Sequence, residues 1–141
     1  MQEMTDSEYR SFLLDRPRTG KAATVRADGR PHLTPIWFDL DGDELIFTSW
    51  HETVKVANLR RDPRIAICID DESPPFSYVI IEGTATISAD PAELRHWATR
   101  LGGRYMGPDQ AEALGQRNSV PGELLIRVTP TYIIARKNIA D

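Results

Sequence analysis

The sequence predicts a mainly β (α+β) fold: six antiparallel strands, closed or nearly closed into a barrel, with short flanking helices. Three observations lead there. Six segments rich in Ile, Val, Thr, Phe and Trp are punctuated by Gly, Asp and Pro turns. Connections of hairpin length join the first three, which makes the sheet mostly antiparallel. Neither a strand–helix–strand alternation nor an internal repeat is visible, and long strands that must hide their edges favour closure.

A short helix is expected first, over Thr5 to Asp15. Thr5 or Asp6 caps it, Glu8 lies in its first turn, and Tyr9, Phe12 and Leu13 make one apolar face. Pro17 prevents its continuation. Three strands follow: Lys21 to Arg26, Pro31 to Leu40, and Glu44 to Trp50. The turns Asp28-Gly29 and Asp41-Gly42-Asp43 separate them. Pro35 cannot donate to a ladder, so the second strand is exposed or bulged there. His51 to Arg61 lacks strict alternation and reads as a short helix bounded by Pro63.

Arg64 to Asp70 is a strand with Ile65, Ile67 and Ile69 on one face. Ser77 to Ser88 is a long strand with Val79, Ile81, Gly83, Ala85 and Ile87 on one face. Asp90-Pro91-Ala92-Glu93 starts a helix, with a capping Asp and Pro at the first helical position. Leu94, Trp97, Ala98 and Leu101 form its stripe, which covers one end of the barrel, and Gly102-Gly103 ends it. A further helix covers Asp109 to Gln116. The last strand runs from Glu123 to about Arg136, where Pro130 implies a bulge or an edge position.

No linker divides the 141 residues, so residues 1–141 read as one domain. Apolar residues at 40% and charged residues at 27% are ordinary for a soluble globular chain. A net charge of −4 gives no basic footprint for nucleic acid. No apolar run approaches the ~18 residues of a membrane span. The polar N-terminus lacks the regions of a secretory signal, and the one cysteine, Cys68, cannot form an internal disulfide. A cytoplasmic protein is expected.

The familiar catalytic patterns are missing: no Gly-x-Gly-x-x-Gly, no phosphate loop ending in Gly-Lys-Ser/Thr, no second His after His51-Glu52. Cys68 on its strand reads as a buried, inert thiol. Asp70-Asp71-Glu72 reads as a solvated acidic loop. No metal site and no catalytic side chain are assigned. The informative stretch is Phe47-Thr48-Ser49-Trp50, then Lys55, then Asn58 to Arg64. A strand delivers two hydroxyls at its end, a helix begins at once, and Lys55 and Asn58 lie three apart on it. Hydroxyls, helix amides and an ammonium are what a phosphate group needs; the alternative is a solvated basic helix. Pro31 to Phe38 is the second clue. Beside Pro35 free backbone groups could pair with a planar heterocycle; the alternative is an edge protected against aggregation.

Together these stretches resemble the pyridoxamine 5′-phosphate oxidase-like superfamily of split β-barrels, and within it the actinobacterial branch of F420-dependent reductases. The resemblance rests on Asp28-Gly29-Arg30-Pro31-His32, Thr34-Pro35-Ile36-Trp37-Phe38, Thr48, Lys55, Asn58 to Arg64, Tyr78-Val79, Glu82 to Ala85 and Val128-Thr129-Pro130. It implies an FMN-binding type of split barrel and a homodimer with two cofactor sites in its interface. Lys55 and Asn58 would meet the cofactor phosphate. Thr48 and Ser49 would hydrogen-bond the phosphate or ribityl chain, and the backbone of Thr34, Pro35, Ile36 and Trp37 would line the ring edge. Phe76 and Tyr78 would reach the site from the partner subunit, and Trp37, Trp50 and Phe76 would wall it against water. Two departures stand out. The C-terminal Arg and His that hold the substrate phosphate in true pyridoxamine phosphate oxidases are absent, which argues against vitamin B6 oxidation. Thr53 stands where relatives often carry an Arg.

The resemblance implies that reduced coenzyme F420 passes a hydride to a small unsaturated organic substrate, the cofactor carrying the chemistry. FMN is the alternative cofactor, since the legible site fits either. Arg60, Arg61 and Arg64 could hold the acidic tail of F420. Haem is a third possibility, with His32, His51 and His96 as candidate ligands. A carrier that binds cofactor without turnover, and a purely structural dimer, remain open beside the enzyme.

Overall fold

Alternation of apolar residues, broken by capped helix starts, sets the order of elements. The computed structural model describes residues 1–141: β1 (Gln2–Glu3), α1 (Asp6–Leu14), β2 (Gly20–Val25), β3 (Pro31–Ile36), β4 (Asp39–Asp41), β5 (Glu44–Trp50), α2 (Val54–Arg61), β6 (Arg64–Asp71), β7 (Ser77–Ser88), α3 (Pro91–Met106), α4 (Ala111–Arg117) and β8 (Glu123–Lys137), with a 3-10 turn at Pro108–Gln110. Thr5 caps α1 through a reciprocal capping box with Glu8. Asp90 caps α3 by accepting from the Glu93 N–H at 3.0 Å.

All strands pair antiparallel in one sheet, in the order β3-β2-β6-β7-β8-β5-β4, and β1 pairs with the end of β8. β3 and β4 stand at opposite edges, yet only Trp37 and Phe38 separate them in the chain. That link carries the backbone from one edge to the other and nearly closes the barrel, as the sequence predicts. The count is eight strands rather than six. The run Pro31–Leu40 breaks because the Phe38 N–H donates to the Tyr105 hydroxyl at 3.0 Å instead of to a ladder partner. Gln2–Glu3, read as a polar terminus, adds a strand paired with the end of β8, with Glu3 also 3.4 Å from the Arg136 guanidinium.

Inward alternation builds the core. Leu45, Phe47, Ile67, Ile69, Val79, Ile126 and Val128 are fully buried and belong to one cluster. Each such side chain contributes about 1.5–3 kcal/mol by leaving water. Leu13 of α1 and Val56 and Leu59 of α2 enter the same cluster. Leu94 and Trp97 of α3 instead join Ile46 and Leu125, which point to the opposite side of β5 and β8. The helix α3 therefore lies on the outside of the barrel wall, not over its end as its stripe suggested.

Two further expectations change. α3 does not stop at Gly102-Gly103 but runs to Met106. A Cβ on Gly102 would come within 2.6 Å of Leu114 Cβ, so this glycine serves close packing against α4, not termination. Pro130 does mark a bulge: Gly83 pairs with Pro130 and Glu82 with Tyr132, leaving Thr131 extra. The same irregularity presses β8 onto β7, where a Cβ on Gly83 would lie 2.3 Å from the Thr129 carbonyl oxygen.

Candidate functional site

β5 ends and α2 begins at one rim of the barrel, beside the end of β3 and the start of β8. A pocket of about 440 Å³ opens there. Seven of the predicted residues line it: Pro35, Ile36, Trp37, Thr48, Ser49, Trp50 and Lys55. Thr19, Thr53, Asn118 and Glu123 complete the lining.

Lys55 is half-buried and makes no ion pair; burial alone pushes its pKa below the ordinary lysine value. An ammonium held in that state gains from an anion that replaces lost water. Ser49 is buried, and its hydroxyl lies 2.9 Å from that of Thr53, the N-cap of α2. The hydroxyls of Ser49 and Thr53 thus meet at the start of a helix whose first amides carry partial positive charge, and Thr48 lines the same pocket.

The side wall is aromatic. Trp37 stacks on Tyr105 of α3 with ring centroids 5.0 Å apart and an interplanar angle of 3°. The Tyr105 hydroxyl accepts from the Phe38 N–H and donates to the Arg18 carbonyl at 2.7 Å, which fixes the stack. Trp50 packs on the other side against Gly122, whose φ of 103° only glycine adopts without strain. β3 is an edge strand, so backbone groups on the side away from β2 are free of the ladder.

Four predicted residues stand apart from this pocket. Asn58 is 3% exposed, and its carboxamide donates to Thr24 Oγ1 at 3.0 Å and accepts from Arg61 at 3.2 Å. Three residues along a helix leave an offset of about 60°. At this rim that turns Lys55 to the pocket and Asn58 into the contact between α2 and β2. Thr34, on β3, is half-buried and its hydroxyl has no partner. Phe76 and Tyr78 lie at the start of β7; Phe76 is 38% exposed with φ of 66°. Neither lines the pocket of its own chain.

Thr19, Asn118 and Glu123 were not assigned to the site from the sequence. Their signal is tertiary: the β5–β8 register sets Trp50 opposite Glu123. Burial pushes the Glu123 carboxyl above its ordinary pKa, with Arg117 and His51 partly offsetting the shift. Burial likewise raises the half-buried Cys68 thiol, with Asp70 adding to it. No group of three His, Cys, Asp or Glu side chains is arranged to hold a metal ion. No helix is long and apolar enough to cross a membrane.

The sequence matches the pyridoxamine 5′-phosphate oxidase family over residues 5–137. A conserved hypothetical protein from Mycobacterium tuberculosis has a similar structure, with TM-score 0.85 and 27% identity over 96% of this chain and 86% of that one. A protein described as an F420 reductase shares 30% identity, with TM-score 0.69, over 87% of this chain and 94% of that one. The heme storage protein HutZ from Vibrio cholerae shares the fold, with TM-score 0.71 and 20% identity over 92% of this chain and 94% of that one.

Proposed function

Since the chain belongs to the pyridoxamine 5′-phosphate oxidase family, we propose that it binds coenzyme F420 at the Lys55 pocket and serves as an oxidoreductase for a small unsaturated organic substrate. One observation carries this reading: a half-buried ammonium without a counter-ion faces a pocket lined by the hydroxyl residues Thr19, Thr48, Ser49 and Thr53, beside a sheet edge with free backbone groups. The 30% identity to a protein described as an F420 reductase supports it.

In this reading Lys55, Thr48 and Ser49 hold the cofactor phosphate. The backbone of Thr34 to Trp37 meets the polar edge of the ring, and Trp37 and Trp50 exclude water. Asn58 supports the site by pinning α2 to β2. A reduced deazaflavin supplies a hydride when bound. The chain's own part is to orient the ring and keep water from its face.

We further propose that residues 1–141 act as one unit that works as a homodimer. The outer face of β2, β6 and β7 carries Ala23, Ala66, Cys68 and Ile80, on the side opposite the buried Ile67 and Val79. A second copy would cover it, and would bring its own Phe76 and Tyr78 toward the pocket.

FMN is the second reading, and the cations favour it. Arg64 is held by Asp62 at 2.7 Å, and Arg61 by the Val25 carbonyl and Asn58. Of the three arginines considered for the acidic tail of F420, only Arg60 is exposed without a partner. Titration of the purified protein with F420 and with FMN, followed by cofactor fluorescence, tests the assignment. Saturable binding of one is expected, with reduced F420 then oxidised by quinones or enones faster than in a protein-free blank. Tight binding without turnover identifies a carrier. No saturable binding of either cofactor overturns the reading.

A further inference from the structure

We infer that Glu123 is a specificity-determining residue of the Lys55 pocket: its carboxylate accepts a hydroxyl or N–H donor from the ligand whose anionic group Lys55 takes. The inference deepens the cofactor reading and rests on it.

Glu123 opens β8 and is the register partner of Trp50, so both side chains leave the sheet on the same side. Both line the pocket with Lys55. The corner behind them is stiff. The His51 N–H donates to the Gly122 carbonyl at 2.8 Å, and a Cβ on Gly122 would come within 2.6 Å of the Trp50 ring. Glu123 therefore cannot swing away by moving its backbone.

The carboxylate is half-buried, yet it makes no hydrogen bond and no ion pair with this chain. Arg117 and His51 act on it only through their charges. Lys55 is in the same state with the opposite sign. Two half-buried, opposite charges share one pocket and do not pair. Each has lost water without gaining a protein partner, which is costly for both.

A ligand can satisfy the two at once only if it is bipolar. An anion alone satisfies Lys55 and is repelled by Glu123. A neutral polyol alone leaves Lys55 unmet. A phosphate carried on a polyol chain meets both, with the phosphate at Lys55 and a chain hydroxyl at Glu123. The pair thus selects polyol phosphates over bare phosphate or a bare ring. The sign of Glu123 matters, since an acidic residue in an anion pocket weakens binding unless the ligand brings a donor to it.

The test compares FMN, F420 and inorganic phosphate on the wild type, Glu123→Leu and Glu123→Gln, with melting curves to confirm folding. Glu123→Leu should weaken FMN and F420 by about tenfold, the loss expected for one hydrogen bond to a charged group. It should leave inorganic phosphate unchanged or tighter. Glu123→Gln keeps an acceptor oxygen and should recover most of the cofactor affinity. If Glu123→Leu leaves FMN and F420 as tight as in the wild type, or tightens them along with phosphate, Glu123 is a bystander charge and the inference fails alone. A wild type that binds neither cofactor removes the cofactor reading, and this inference with it.

Discussion

At the residue scale Lys55 faces the pocket, while Asn58 joins α2 to β2. Lys55 is desolvated and unpaired, so its proton is held less tightly when folded than when unfolded. Its charge therefore costs stability below the lowered folded pKa, and that cost vanishes above the unfolded value of 10.5. A bound anion reverses the shift. Cofactor affinity should be full below the folded pKa of Lys55 and fall as pH rises through it, with proton uptake on binding in that window. Calorimetry in buffers of different ionisation enthalpy measures both. Lys55→Ala should weaken FMN and F420 about 10–100-fold, remove that alkaline limb, and leave the melting temperature unchanged or higher. Asn58→Ala should act first on stability. It strips a partner from the buried Thr24 and from Arg61, and should cost about 1–3 kcal/mol in a urea titration.

Elements were legible where the local chemistry was complete. A cap at Thr5, one of the two candidates, the Asp90-Pro91 start, the Asp-Gly turns and the alternating faces of β6 and β7 all appear where the chain predicts them. Misreadings occur where a side chain from elsewhere overrides the local signal. Tyr105 takes the Phe38 N–H and splits one strand into β3 and β4. The close approach of Leu114 explains Gly102 and lets α3 continue past it. Gly102→Ala should thus destabilise the protein by about 1–3 kcal/mol through overpacking, although alanine is the better helix former. Thermal denaturation reads the sign; a stabilised Gly102→Ala would show that Leu114 gives way to the added methyl group and that helix propensity decides at this position.

At the scale of the whole molecule, one face of the sheet decides whether the proposed site is complete. The helices α1 and α2 pack on the barrel core through Leu13, Val56 and Leu59, and α3 covers the β5–β8 wall, which leaves the half-buried Ala23, Ala66 and Ile80 without a helix over them. Ile80 pairs with Cys68 on one side and Ile134 on the other, in the middle of that face. Ile80→Arg should convert a dimer to a folded monomer in analytical ultracentrifugation. Cofactor affinity should fall with it, since the monomer lacks the partner's Phe76 and Tyr78. A wild type that sediments as a monomer, or a monomeric Ile80→Arg with full affinity, would place the whole site within one chain.

By itself the sequence determined the β-rich class, the antiparallel pairing, the starts of α1 and α3, and the corner on which the proposed site is built. Capping, turn chemistry and two-residue periodicity act within a few residues, and Thr48, Ser49 and Lys55 lie on one strand-to-helix corner. Only the tertiary structure decided that Asn58 turns inward, that α3 lies against the outer wall, and that Glu123 shares the pocket with Lys55. Those outcomes depend on the β5–β8 register and on how helices seat against the barrel. Packing of the whole core sets both, and no local stretch of sequence encodes them.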